Sequence, residues 1–251
     1  MIEFFMNPSE PEGQGSAQAG FPPFKKRVYG RRLGRPMHAA RLKTLETILP
    51  QLEIPRDVLR EDGTINPRSL TPHIAGAAKI HFEIGFGSGE HLHYLMKEFP
   101  HDIFIGAEPY INGMTAFLKE FETPPNNLRV HMDDALMVLN SLQDHSVDCL
   151  YILNPDPWPK SRHHKRRIVS EENLKVFARV LKSGGMMLQT TDVDDLAEWM
   201  LALTLQNPDF EWLAETPADW VTPPNGWMAT RYETKGKQAG RVQKYLAFKR
   251  I

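Results

Sequence analysis

Ile80-His81-Phe82-Glu83-Ile84-Gly85-Phe86-Gly87-Ser88-Gly89-Glu90 decides the fold. Ile80–Ile84 reads as a strand. Three glycines spaced two apart follow it, and a helix is expected from about Glu90 to Phe99. A strand that turns on glycine into a helix is the opening unit of a doubly wound sheet. The same alternation continues downstream. Strands are expected at Ile103–Ala107, Leu128–Met132, Val147–Leu153 and Met186–Gln189. Helices are expected over 110–121, to Leu142, over about 171–181 and over 193–206. The strands are short and apolar on both faces, as a parallel sheet covered by helices requires. Further strand candidates lie at 210–214 and 244–248. The fold class expected is α/β, a doubly wound Rossmann-like sheet.

On the N-terminal side, residues 1–24 carry Pro, Gly, Ser, Gln and Glu and read as a disordered tail. Residues 25–50 form a basic arm leading into Leu42, Leu45, Ile48 and Leu49, whose spacing fits one helix face that Pro50 and Pro55 end. The arm and the sheet together, 25–251, are expected to make one domain. The chain has 251 residues, of which 41% are hydrophobic and 24% charged, enough to bury a full core. No run approaches the roughly 18 apolar residues of a membrane span, and no signal peptide is evident. The single cysteine, Cys149, excludes an internal disulfide and reads as a core thiol in its strand. A cytoplasmic protein is expected.

The net charge of −1 conceals a separation. Residues 25–43 hold eight Lys/Arg, residues 158–167 hold five and residues 235–250 hold six, all without an acid. Three such blocks on an otherwise acidic body suggest a surface for a polyanion, and they are expected to converge on one face.

Ligands of such sheets sit beyond the carboxyl ends of the strands. Gly85, Gly87 and Gly89 permit close backbone approach. The dinucleotide fingerprint needs Gly or Ala where Glu90 stands, and carboxylates at Glu83 and Glu90 would repel a pyrophosphate. They suit a cationic ligand, and S-adenosylmethionine carries an ammonium and a sulfonium. Glu108 ends the second strand, where a carboxylate accepts ribose hydroxyls. Asp133 and Asp134 follow the third, where a side chain can reach an adenine amino group, although each acid could equally be a helix cap. Glycine turn, Glu108 and Asp134 at three successive strand ends resemble class I S-adenosylmethionine-dependent methyltransferases.

The fourth strand ends in Asn154-Pro155-Asp156-Pro157-Trp158-Pro159-Lys160-Ser161-Arg162-His163-His164-Lys165-Arg166-Arg167. The prolines fix Asp156, Trp158 offers a stacking face, and the basic run offers phosphate contacts. This run is similar to the signature of tRNA (guanine-N7-)-methyltransferases. Glu83–Gly89, Gly106-Ala107-Glu108, Thr191-Asp192 and Thr230-Arg231-Tyr232-Glu233 match that family in order, over roughly residues 28–250. Asn154 stands where an aromatic residue is expected, and Ser161 where many members carry a second basic residue.

The resemblance implies that Glu83, Gly85, Gly87, Gly89, Glu108, Asp134 and Asp156 contact S-adenosylmethionine, with Asp156 as the catalytic-site acid. It implies that Lys160, Asp192, Thr230, Arg231, Tyr232 and Glu233 face a guanosine of the tRNA variable loop. Arg162, His163, His164, Lys165, Arg166 and Arg167 would touch RNA. Whether Asp156 or Asp192 holds the base stays open. Two other readings remain: an adenine amino-group methyltransferase, from the likeness of Asn154-Pro155-Asp156-Pro157-Trp158 to the Asn-Pro-Pro-aromatic loop of that class, which Asp156 interrupts, and a non-catalytic RNA binder on the same fold. No metal site is expected, because His91 and His93 diverge on a helix and His163-His164 lacks partner ligands. No obligatory protein partner is evident.

Overall fold

β1 (Ile80–Ile84), β2 (Ile103–Ala107), β3 (Leu128–His131), β4 (Val147–Leu153), β5 (Leu181–Thr191), β6 (Phe210–Trp212) and β7 (Lys244–Arg250) form one sheet in the computed structural model. It describes residues 29–30, 32, 34, 39–60, 62–72, 74 and 79–251. The order is β3-β2-β1-β4-β5-β7-β6. β1 to β5 are parallel, and β7 runs antiparallel between β5 and β6. The order reverses between β1 and β4, the point at which doubly wound sheets open a ligand crevice.

The helices are α1 (Ala39–Thr47), α2 (Leu49–Leu52), α3 (Glu90–Glu98), α4 (Ile111–Leu118), α5 (Ala135–Ser141), α6 (Glu171–Val180), α7 (Asp194–Gln206) and α8 (Arg231–Gln238). The period-two pleat of the strands divides the core into two clusters. Ile80, Phe82 and Ile84 point into one, with Leu136, Phe177 and Phe248. Phe104 points into the other, with Phe86, Leu92, Phe117 and the N-terminal Leu45, Leu49 and Leu52. His81, buried on this second side, stacks on Phe104 and bonds Tyr151 through Nδ1 at 3.0 Å and Asp102 through Nε2 at 2.9 Å. Burial outweighs Asp102 and lowers its pKa.

Several expectations change. Pro50 does not end the first helix run; it stands in the first turn of α2, where a missing N–H costs nothing. Leu42 is exposed, whereas Leu45 and Leu49 are buried. β5 starts five residues early, at Leu181, because Lys182–Gly185 bulges between the Val147–Leu181 and Cys149–Met186 pairs, with Gly184 at φ 77°. Cys149, beside that slip, is half-buried rather than a core thiol. α8 is a helix where none is expected. Residues 1–24, and most of 25–38, lie outside the described residues. Among the described residues no helix is long and apolar enough to cross a membrane, and no group of His, Cys, Asp and Glu could hold a metal.

Candidate active site

A cavity of about 690 Å³ opens at the carboxyl ends of β1, β2, β3 and β4. That volume is ordinary for a small-molecule site. Its floor is the glycine turn. Gly85, Gly87 and Gly89 all have left-handed φ, at 69°, 58° and 73°, which strongly favours glycine. A Cβ on Gly89 would lie 2.1 Å from the Phe117 ring, so this glycine lets α3 pack against α4. One on Gly85 meets nothing within 4 Å and would simply occupy the open space.

The carboxylates stand where the strand ends put them. Glu83, buried on β1, takes a 2.9 Å contact from His91 Nδ1. His91 itself lines the cavity and packs against Tyr151 and Trp227. Glu108 accepts the backbone N–H of Gly87 and of Tyr110, each at 2.7 Å, so it ties the glycine turn to the start of α4. Burial raises its pKa against these two bonds, and Asp156 and Glu83 raise it further by repulsion. Asp134 lines the cavity but also caps α5, accepting from Leu136 N at 3.0 Å. The neighbouring Asp133 is buried and ion-paired with Arg32 and Arg56.

Asp156 sits exposed in the loop after β4, and desolvation by the cavity walls still lifts its carboxyl above the usual aspartate range. The loop bends at Asn154 (φ 47°) and Trp158 (φ 43°), two side-chain-bearing residues in the left-handed region. Asn154 is held by Thr190 O through its N–H, by Thr230 Oγ1 through Nδ2, and by Gln243 Nε2 through Oδ1. An aromatic residue there could make neither side-chain bond, which gives this departure from the expected pattern a local reason. On the other flank Arg167 Nε donates to Pro157 O at 3.0 Å.

The remaining expected site residues divide. Thr230 lines the cavity and caps α8, accepting from Glu233 N. Tyr232 lines it and is 61% exposed, and Lys165 and Arg166 stand at its rim. Lys160, Arg162 and Arg231 are exposed outside the lining, and His163 packs edge-on against Trp158.

Four placements correct the expectation. Arg167 is buried, paired with Asp195 and laid over Trp199, so it has no face for RNA. His164 turns inward onto the same Trp199 ring. Asp192 lies outside the cavity: Arg241 Nε bonds it at 2.7 Å, and Gly236 of α8 packs on it so closely that a Cβ would overlap it. Glu233 is fully buried and receives Trp227 Nε1 at 2.8 Å, Tyr245 OH at 2.6 Å and Lys237 Nζ at 2.7 Å. Burial alone would raise its pKa, but Lys237, Tyr245 and Trp227 together hold it low. Asp192 and Glu233 therefore position α8 rather than face a ligand.

Sequence reasoning misses Tyr29 and Gly30, which close over the cavity, and His91 beneath it. A Cβ on Gly30 would lie 3.6 Å from Asp156 Oδ2. The signal at His91 is its place one residue after Glu90, in the first turn of the helix the glycine turn opens.

Residues 77–246 match the family model described as a putative methyltransferase. The chain is 43% identical over 223 residues to the tRNA (guanine-N(7)-)-methyltransferase of Rhizobium meliloti, spanning 88% of this chain and 94% of that protein. The protein of the same name in Zymomonas mobilis is 38% identical over 227 residues, 90% and 95% of the two chains. The chain belongs to the tRNA (guanine-N(7)-)-methyltransferase family. Among solved structures, a 16S rRNA methyltransferase, KamB, superposes with a TM-score of 0.50 at 13% identity, over 69% of this chain and 88% of that one. That likeness concerns the fold alone. In this chain the glycine turn, Glu83, Glu108 and Asp156 line one cavity.

Proposed function

We propose that this protein transfers a methyl group from S-adenosylmethionine to N7 of a guanosine in the tRNA variable loop, giving 7-methylguanosine. The observation that carries the reading is one cavity lined by carboxylates and rimmed by Lys165, Arg166 and Trp158, in a chain of this family. The residues suit the cofactor. Glu108 has lone pairs left after its two backbone bonds, enough for a ribose diol. Glu83, held by His91, offers charge to an ammonium, and the space beside Gly85 admits a ligand against the backbone. When bound, the cofactor supplies an electrophilic methyl group.

Guanine N7 is a lone-pair nucleophile with no proton to lose, so the chain's task is positioning. Asp156 is the acid placed to accept guanine N1–H and the 2-amino group and to stabilise charge that develops on the ring. Asp192, tied to Arg241, is assigned no such role. Thr230 and Tyr232 complete the wall on the base side, and Lys160, Arg162 and Lys165 extend the rim toward phosphates. A cytoplasmic location goes with a tRNA substrate.

The test is incubation of the protein with unmodified tRNA and methyl-labelled cofactor, then nucleoside analysis. Labelled 7-methylguanosine is expected. A methylated adenine amino group would instead establish the amino-methyltransferase reading. Tight tRNA binding without transfer and without cofactor binding would establish a non-catalytic RNA binder.

A further inference from the structure

Two neighbouring arginines each lie over a tryptophan ring, and they are held in opposite ways. Arg167 rests 5.0 Å from the Trp199 centroid, and its guanidinium is fastened by Pro157 O and Asp195. Arg166 rests 4.9 Å from the Trp158 centroid and 5.1 Å from that of Tyr29. Among the described residues no carboxylate or carbonyl holds its side chain, and its Nε is buried without a hydrogen-bond partner. Both distances fall within the roughly 6 Å at which a ring face attracts a cation. A planar cation that only two aromatic rings retain can be exchanged for another planar cation.

The proposed reaction makes one. The N7 lone pair forms the new N–CH₃ bond while the C–S electron pair returns to sulfur. The sulfonium becomes a neutral thioether, no proton moves, and the positive charge passes to the purine ring. The guanine is planar and neutral before the step; its product is planar and cationic. Trp158 is two residues beyond Asp156, and Gly30, next to Tyr29, approaches Asp156 Oδ2. The ring pair therefore flanks the acid assigned to the base.

We propose that Tyr29 and Trp158 form a cation-selective aromatic slot that Arg166 fills in the free protein and the methylated purine takes when RNA is bound, releasing Arg166 to the RNA backbone. The slot rests on the function proposed above. It favours the charged ring over the uncharged one, so the transition state and product gain contacts that the substrate lacks. It makes the product adhere, and release is then a slow step.

The experiment compares binding of two tRNAs that differ only in the N7 methyl group, with S-adenosylhomocysteine present. The ratio of the two affinities cancels phosphate contacts, including those of Arg166. The wild type is expected to prefer methylated tRNA about three- to fivefold. Trp158→Leu and Tyr29→Leu should each bring the ratio down toward one, whereas Tyr29→Phe should keep it. Arg166→Ala should raise the ratio, because the competitor for the slot is gone. Variants are compared at matched thermal melting; one that melts early is replaced by its aromatic counterpart, Tyr29→Phe or Trp158→Phe, in which the ratio should persist. A ratio unchanged in both leucine variants, or no preference in the wild type, overturns the slot. If the wild type methylates tRNA at guanine N7 while the ratio fails, only the slot falls. If it makes no 7-methylguanosine, the function itself falls.

Discussion

Glu108 holds the glycine turn and α4 together with one carboxylate, and in the proposed function the same carboxylate keeps lone pairs for a ligand. Glu108→Gln loses an acceptor oxygen for one of the two backbone N–H groups, and cofactor affinity should fall by about 1–3 kcal/mol in calorimetry. The pH dependence follows from its raised pKa. The diol needs the ionised acceptor, so cofactor affinity should decline on acidification while the pH is still above the ordinary glutamate value of 4.5. Asp156, whose carboxyl burial also raises, remains in the cavity, so the decline should be blunted, not abolished, in Glu108→Gln. For folding the sign is reversed. The contribution of this group is fully present below 4.5 and is lost as pH rises through the folded value. Asp156→Asn keeps the loop, whose anchors are Asn154 and Arg167, and should lose most methyl transfer without lowering the melting temperature. Near-normal turnover with saturating tRNA would remove Asp156 from the chemistry.

At the scale of elements, α8 is positioned from within. Its cap is Thr230, its underside carries Glu233 with three donors, and Gly236 lets it sit on Asp192. Glu233→Ala would leave Trp227, Tyr245 and Lys237 without their acceptor. A loss of roughly 2–4 kcal/mol in urea unfolding is expected, with tRNA turnover falling more than cofactor affinity. An unchanged unfolding midpoint would mean that α8 is held by something else. α8 also shows where the sequence stops being legible. β1, β2 and β4 carry their apolar pattern in consecutive residues, and their bounds are readable to the residue. Arg231–Gln238 is strongly polar, with Gly236 inside it, and its one local helix signal is the Thr230-x-x-Glu233 cap, which no apolar run follows. Its stability comes from Asp192 and Tyr245, which are remote in sequence or lie on another element, with Arg241 just past its end tied to Asp192. The same limit separates the site residues. Glycine turns and strand-end acids are local features and can be found by inspection. That Glu233 and Arg167 face inward is a matter of tertiary partners, and no spacing rule contains it.

Across the whole molecule, a block without acids in sequence is not a block without acids in space. In the third basic block, Lys237, Arg241, Lys244, Lys249 and Arg250 pair with Glu233, Asp192, Asp194, Glu211 and Asp209. The second block is different: Lys160, Arg162 and Lys165 are exposed, with no ion pair among the described residues. The first block falls mostly outside the described residues; of its described members, Arg32 pairs with Asp133. The unpaired positive charge therefore centres on residues 160–166, and this is the surface we propose for RNA. Replacing Lys160, Arg162 and Lys165 by Gln should reduce the slope of log affinity for tRNA against log salt by about one for each phosphate no longer neutralised. Replacing Lys249 and Arg250 should leave the slope in place. Equal effects from both sets would return the third block to the RNA surface.

β7 is made after every other strand of the sheet, yet it lies inside it, between β5 and β6. During synthesis, β1 to β5 can assemble the glycine-turn end of the cavity as they emerge, while β5 waits with an open edge and β6 has no neighbour. α8 emerges just ahead of β7, and Tyr245 of β7 supplies one of the donors that hold Glu233. A nascent chain can thus complete the side of the cavity lined by Gly85, Glu83 and Glu108 before the side lined by Thr230 and Tyr232. The last strand of the sheet in chain order therefore works as a latch: Lys244–Arg250 covers the waiting edge of β5, gives β6 its neighbour and carries the Tyr245 hydroxyl to α8.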